Sequence, residues 1–500
     1  MNPSATQNHP PRLSWPVPLA AVLTVCGVMI PMICWFGLAD PNLVPGLFHQ
    51  PWNNPGAMIA AVATVLILFF APLIWMLASR RADLVAIWLM QNALLAGGYF
   101  FLPETAEQLN QPRLGPAILD AGVSVVVVNT LGFLILLPTL GFTCMFAKLV
   151  RVEIKPLSGP PEIFDRRLLV LLRIAALYCV GAVVLSMAVT HTIPMLASDP
   201  QTARYVFDDN GITRPLFNVN MAILPFVSGG LLVMFFRNPR RYLGLDGWLA
   251  GMVLLAELLS GDRFPLAVAA IVSITLLTME KRWPRWLLIA AVTGYCVLFI
   301  GLSGFTSIWR QNREVLTSKE NLVVSSFRQA YIGNNLIDYR DAAWVFSQWD
   351  HRPLMGKTYA AGMLAMMPSS LLPERKQWHL GQTALRIVGW GDYQHFGLRI
   401  SCFGESFLNF GFAGVVSLAV IMGILLGSLS HCLNRLSKAS QPPCLARNLM
   451  VVMTIQMLLV WTNTSDAFMF WALLALLIGI KAVVFFGGGR MTIAGERRLA

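Results

Sequence analysis

Apolar stretches of roughly twenty residues recur along this chain, separated by short polar segments. Each is long enough to cross the ~30 Å hydrocarbon core of a bilayer as a helix, and none shows the short alternating pattern of a β-barrel. The pattern predicts twelve helices, near residues 16–38, 57–78, 84–102, 117–146, 168–189, 216–236, 245–259, 264–279, 286–305, 406–432, 445–462 and 467–486. The expected fold is all-α, a polytopic integral membrane protein forming a single domain over residues 1–500. Between the ninth and tenth helices the rhythm breaks, and residues 306–402 form a large inserted loop. Connections of that length are usually functional or disordered. Aromatic residues such as Trp309, Tyr331, Trp344, Trp349, Tyr359, Trp378 and Trp390 argue against disorder. Within the loop, residues 358–373 are apolar but too short to span, which predicts an interfacial or re-entrant piece.

Composition agrees with lipid as the solvent. Of 500 residues, 56% are hydrophobic and 12% charged, about half the charge of a soluble domain. The eight cysteines fall mostly inside apolar runs, with no CxxC and no His/Cys cluster, so neither a disulfide framework nor a zinc site is indicated. The first apolar run lacks a small-residue cleavage site and reads as a signal anchor.

The net charge of +12 changes meaning once it is placed on a side of the membrane. One alternating set of short loops and both tails carries 20 of the 37 Lys and Arg, while the opposite set carries four: Arg113, Arg204, Arg214 and Arg263. Positive charge is retained on the cytoplasmic side, so both termini are expected there and the basic balance needs no nucleic acid. The long loop then falls on the outer, extracytoplasmic side.

Three features carry candidate chemistry. The loop holds eleven Lys and Arg against seven carboxylates before Glu405, among them Arg310, Arg313, Arg352, Lys357 and Arg399. A solvated folded loop is the plain reading; an anion site is the sharper one, because the planar guanidinium donates two parallel hydrogen bonds to phosphate. Second, "SGDRFP" places Asp262 and Arg263 in a tight outer turn, just after Glu257. This is either a hairpin with a local ion pair or the rim of a cavity. Third, in "GLRISCFGESFLNFGFAGV", residues 397–415, Ser401, Glu405 and Asn409 share one face if the helix already runs from about Ser401. Gly404 and Gly411 read as packing glycines. A buried carboxylate needs a partner or gives up its charge, which makes Glu405 a general-base candidate. His351 and His395 are reserves. Arg173 and Lys481 are expected to snorkel, and Asn129 and Gln456 to join helices.

Three patches carry a resemblance. These are "SGDRFPLAVAAIV", "HRPLMGKTYAAGMLAMMPSSLLP" and the 397–415 stretch with its Gly-Glu-aromatic-x-Asn-aromatic-Gly order. In order and position they resemble the bacterial O-antigen polymerase family, the Wzy-type oligosaccharide repeat-unit polymerases. The likeness runs mainly over residues 260–427; the first 200 residues match only in hydropathy and topology.

The resemblance implies a GT-C-like glycosyltransferase of the bacterial inner membrane, active on its periplasmic side in lipopolysaccharide or exopolysaccharide biosynthesis. It would join undecaprenyl-diphosphate-linked oligosaccharides without metal or other cofactor, among membrane lipids and with a chain-length regulator as a further partner. Glu405, Arg263 and Asp262 would be catalytic. Arg310, Arg313 and Arg399 would hold diphosphate, and Arg352, Lys357, Tyr359 and Asn409 would line the sugar path. The nearest rival is an O-antigen ligase. From another class comes a lipid-linked glycan flippase or transporter.

Overall fold

The computed structural model describes residues 70–78, 115–149, 161–197, 212–237, 244–261, 264–280, 285–311, 338–364, 371–389, 400–436, 444–463 and 474–482, with isolated positions between them. All regular structure among the described residues is helical. The helices are α1 (Gly115–Leu149), α2 (Pro161–Thr190), α3 (Thr213–Arg237), α4 (Leu245–Ser260), α5 (Phe264–Glu280) and α6 (Arg285–Gln311). Then come α7 (Asp338–Gln348), α8 (Lys357–Met363), α9 (Arg375–Trp378), α10 (Leu380–Ile387), α11 (Cys402–Leu436) and α12 (Leu445–Asn463).

Among the described residues, four stretches are long and apolar enough to cross a membrane: Val127–Phe146, Asp165–Thr190, Thr213–Phe236 and Cys402–His431. Their outward faces carry large exposed hydrophobes, Phe142, Ile174, Leu177 and Ile421 among them, as lipid contact requires. The chain is an all-helical protein of membrane-spanning character. Eight of the expected helices reappear with ends shifted by a few residues. The expected helix at 16–38 lies outside the described residues, and of 57–78, 84–102 and 467–486 only parts are described.

Many hydroxyls inside the apolar helices are absorbed locally. Thr139, Thr143, Ser186, Ser228, Ser273, Thr278 and Thr454 each donate to a carbonyl one turn back, at 2.6–2.9 Å. This is how a helix in lipid hides a hydroxyl without a tertiary partner.

Two groups of helices pack around one core. In the first, α2, α3, α4 and α5 lie against one another; in the second, α1, α7 and α11 do, and α12 touches both. Glycines 423 and 427 bring α11 against the α1 backbone, since a Cβ at either would fall within 3.0 Å of Leu136 or Leu140 carbonyl oxygen.

Charged groups in the first group are tied down. Arg173 forks onto Asp246 with Nε to Oδ1 at 2.6 Å and Nη2 to Oδ2 at 3.0 Å. The expected snorkelling arginine is thus an interhelical ion pair between α2 and α4. Asp165 of α2 accepts from the Leu445 and Ala446 N–H groups at 2.9 and 3.3 Å, so a carboxylate closes the positive N-terminus of α12. Asn129, expected to join helices, donates to Val125 oxygen of its own helix.

The inserted loop contributes to the core. In α7, Asp341 through Phe346 are all buried against α1, and Leu380, Ala384 and Leu385 of α10 join them. A segment of the loop thereby packs against the α1–α11 pair.

Candidate functional site

The site grows from the first turn of α11. Ser401 caps the helix: its Oγ accepts the Gly404 N–H at 3.0 Å while its carbonyl accepts from Glu405 N at 2.8 Å. Ser401 therefore spends its side chain on the helix end rather than on the face expected to include Glu405 and Asn409. One turn on, Glu405 is 1% exposed and Asn409 fully buried.

At Gly411 the helix breaks, with φ 64° and ψ −154°. That region is open essentially to glycine alone. A Cβ at Gly411 would meet nothing within 4 Å, so this glycine serves backbone conformation and not the packing expected of it. The break removes helical donors from the carbonyls just before it. The turn preceding α8 supplies replacements: Leu354 N–H donates to Leu408 oxygen at 2.9 Å and Met355 N–H to Asn409 oxygen at 3.2 Å. To do so the turn adopts left-handed conformations at His351 (φ 61°), Met355 (φ 52°) and Gly356 (φ 79°). Among the described residues, four of the seven with positive φ lie at this junction.

The docked turn brings α8 over Glu405. Thr358, fully buried, donates its hydroxyl proton to Glu405 Oε1 at 2.6 Å. Asn409 Nδ2 donates to Thr358 Oγ1 at 2.8 Å and to Glu405 carbonyl oxygen at 2.9 Å, and its Oδ1 accepts from Gly356 N–H at 2.9 Å. Of these bonds the one from Thr358 to the Glu405 carboxylate is charge-assisted, a kind that contributes about 1.5–3 kcal/mol. Beside them Tyr359 stacks on Phe410, 6.5 Å between centroids and 8° between planes. Burial, and after it the negative charge of Glu405, push the Tyr359 phenol above its ordinary pKa. An aromatic wall continues outward: Phe346 stacks on Phe407 at 5.5 Å, Trp349 meets the Phe407 edge at 5.8 Å and His351 at 5.3 Å.

The structure thus brings together Glu405, Asn409 and Tyr359 from the expected set. Lys357 is exposed at the first residue of α8, and Arg352 is 88% exposed on the docked turn beside Asp350, 3.3 Å away. Arg310 lies in the last turn of α6, with only its backbone described. Asp262, Arg263, Arg313, Arg399 and His395 lie outside the described residues. The turn after α4 begins as expected, with Gly261 left-handed at the helix end. Glu257 is fully buried there, 3.4 Å from Asn220 Nδ2 of α3. Among the described residues no three His, Cys, Asp or Glu side chains gather where they could hold a metal ion.

Sequence reasoning missed Thr358 and Gly356. The available signal was a threonine at the head of an apolar segment, directly after Gly-Lys; nothing local tied it to a helix start 47 residues later.

Chemically, the arrangement is a buried carboxylate in the first turn of a long apolar helix, with one oxygen held by a hydroxyl. Compared with family models, curated proteins and solved structures, the chain matches none.

Proposed function

We propose that the chain is a polysaccharide polymerase: a membrane glycosyltransferase that joins undecaprenyl-diphosphate-linked oligosaccharide repeat units on the periplasmic side of the bacterial inner membrane. In this reading it has twelve spans, both termini in the cytoplasm, a GT-C-like architecture and residues 306–402 as its periplasmic loop. The observation that carries it is Glu405, buried at the mouth of α11 and met there by the loop segment 354–358. A polymerase needs such a group at the outer face, where no nucleotide drives the chemistry and the substrate arrives already activated.

The reaction follows from the groups. Glu405 takes the proton of an acceptor sugar hydroxyl, and that oxygen attacks the anomeric carbon of the donor. The bond from that carbon to the lipid diphosphate breaks, and the diphosphate leaves with the electron pair. Arg263, Arg310, Arg313 and Arg399 hold the diphosphates, where negative charge grows in the transition state. Asp262, beside Arg263 in sequence, is held in reserve as a base. Arg352, Lys357 and Tyr359 line the sugar path. Asn409 forms the wall of that path through its bonded amide.

The test is polysaccharide length in a strain lacking its own polymerase. Expression of this chain is expected to restore long polymer, and Glu405→Gln or Arg263→Ala to leave single repeat units. Normal length with both variants removes those two residues from the site. A strain lacking this chain that accumulates full-length polymer on the lipid carrier identifies a ligase instead.

A second reading is favoured by the break at Gly411, because helices interrupted beside a buried polar group also form transporter sites. Under that reading the chain is a lipid-linked glycan flippase, and its loss leaves repeat units on the cytoplasmic face.

A further inference from the structure

Hydropathy predicts an interfacial piece near residues 358–373, but not what it rests on or which of its side chains meet lipid. The burial pattern of α11 supplies both. None of residues 402–409 is exposed, and exposure begins at Phe410. From there exposed residues recur at 412–413, 416–417, 420–421 and 424, one helical turn apart, so a single stripe of α11 faces outward. Phe412, Val416, Val420, Ile421 and Ile424 on that stripe are large and apolar, within a stretch long enough to cross a membrane. Such a stripe faces lipid.

Length places the N-terminal end of the stripe at the membrane boundary. The 35 residues of α11 make about 50 Å of helix, against a hydrocarbon core of ~30 Å. Part of the helix must lie outside the core, and residues 402–409 are the part that protein surrounds. The turn at 354–356 is bonded to α11 at that boundary, with Leu354 and Met355 N–H on the Leu408 and Asn409 carbonyls. From there α8 runs along Phe410: Tyr359 stacks on that ring, and a Cβ at Gly356 would come within 2.9 Å of its Cζ. Thr358, Ala361 and Gly362 of α8 turn inward. Met355 and Met363 are left 72% and 56% exposed, beside a half-exposed Phe410. Arg352 and Lys357, also exposed, stand next to them in the chain.

We propose that residues 352–363 are a membrane-interface anchor: Met355 and Met363 enter the acyl region beside Phe410, continuing the lipid-facing stripe of α11, while Arg352 and Lys357 meet the phosphate groups of phospholipids. A thioether offers a hydrogen-bonding partner almost nothing and an acyl chain good contact, so the apolar members fit lipid rather than glycan. Long basic side chains at the polar edge of such a patch carry their charge to headgroup level. The Thr358–Glu405 bond lies between α8 and α11, hence at the same level. A lipid-linked diphosphate moving in the bilayer would therefore come upon Arg352 and Lys357 sideways from the membrane. That consequence rests on the polymerase reading; the anchor does not.

Nitroxide depth measurements on the full-length protein in phospholipid nanodiscs test it. Labels are placed at Met355→Cys and Met363→Cys, with Ile421→Cys on the stripe as the lipid reference and Asp350→Cys, at an exposed polar position, as the water reference. Wild-type protein treated with the same label is the blank. Collision rates are compared for oxygen, which concentrates in lipid, and for a water-soluble nickel chelate. Both methionine positions are expected to give an oxygen-to-nickel ratio near that of Ile421 and several-fold above that of Asp350. A ratio equal to that of Asp350 overturns the anchor. Low collision with both reagents means that protein covers the patch, from this chain or a second copy, and overturns it as well. Should Met355→Cys not accumulate as folded protein, Met363→Cys decides alone. For the cations, the preference of the protein for spin-labelled phosphatidylglycerol over phosphatidylcholine is expected to fall in the Arg352→Gln, Lys357→Gln double variant. An unchanged preference overturns the phosphate contacts. No readout involves polymerisation, so protein that anchors in this way but makes no polymer keeps the anchor and loses the polymerase reading.

Discussion

Asp246 and Glu405 are each 1% exposed, and the protein treats them in opposite ways. Both oxygens of Asp246 lie on the guanidinium of Arg173, in a fork between two unbroken helices. Oε1 of Glu405 lies on a hydroxyl, beside a helix that breaks six residues later. A carboxylate matched oxygen for oxygen to a guanidinium is electrostatically finished, and its proton affinity is of little use. The hydroxyl on Glu405 Oε1 is a neutral donor, which directs one oxygen and supplies no counter-charge of its own. The comparison teaches that burial by itself does not mark a reactive carboxylate; the nature and direction of its partners do.

The largest expected effect separates the two directly. Glu405→Gln should lower polymerisation by about 10²–10⁴-fold, the usual contribution of a general base, while the protein remains folded. Asp246→Asn should leave the rate per folded molecule unchanged. Radiolabelled repeat units resolved by length on a gel, normalised to folded protein, measure both; equal losses would erase the contrast.

Stability should reverse the ranking. Breaking a buried ion pair from one side costs about 3–5 kcal/mol, and somewhat less here because Arg173 is a third exposed to solvent or lipid. Asp246→Leu is therefore expected to lower thermal stability clearly, and Arg173→Met combined with Asp246→Leu to regain most of the loss. A double variant no better than the single would show that the fork does more than neutralise charge.

The break in α11 should matter by a smaller amount. Gly411→Ala forces a side chain into a backbone region it avoids, at a cost of about 1–3 kcal/mol. Its effect on polymerisation should exceed its effect on melting temperature, since Leu408 and Asn409 would regain helical partners and release the turn at 354–356. Unchanged activity would detach the break from the site.

The smallest effect is a titration. Because burial and the Glu405 charge raise the Tyr359 phenol in the folded state, its stabilising contribution is complete below the ordinary tyrosine pKa of about 10. It is lost as pH rises through the folded value. The phenolate absorbance of Tyr359, taken as wild type minus Tyr359→Phe, should be nearly absent at pH ~10. Glu405→Gln, by removing the second cause, should move its onset to lower pH. An onset unaffected by Glu405→Gln would mean that the two groups do not sense each other.

The helical class, the membrane character and the ends of most described helices were legible in the sequence. Lipid leaves a backbone few ways to satisfy its own hydrogen bonds, so long apolar runs must be helices and their limits follow from hydropathy. Glu405 and Asn409 were legible for the same reason: a carboxylate and an amide at the start of an apolar run stand out against a solvent that penalises them. Only the tertiary structure decided their partners. The donor to Glu405 sits 47 residues earlier in a segment that hydropathy alone places at the interface, and its arrival depends on a turn docking onto carbonyls freed by a backbone break. Gly411 read as a packing glycine because composition cannot tell a residue that admits a neighbour from one that permits a positive φ. Arg173 read as a snorkelling side chain because its counter-ion is 73 residues away. Periodicity acts over a few residues and is written along the chain. The pairing of polar groups across helices is settled by which faces pack together, which is a property of the fold.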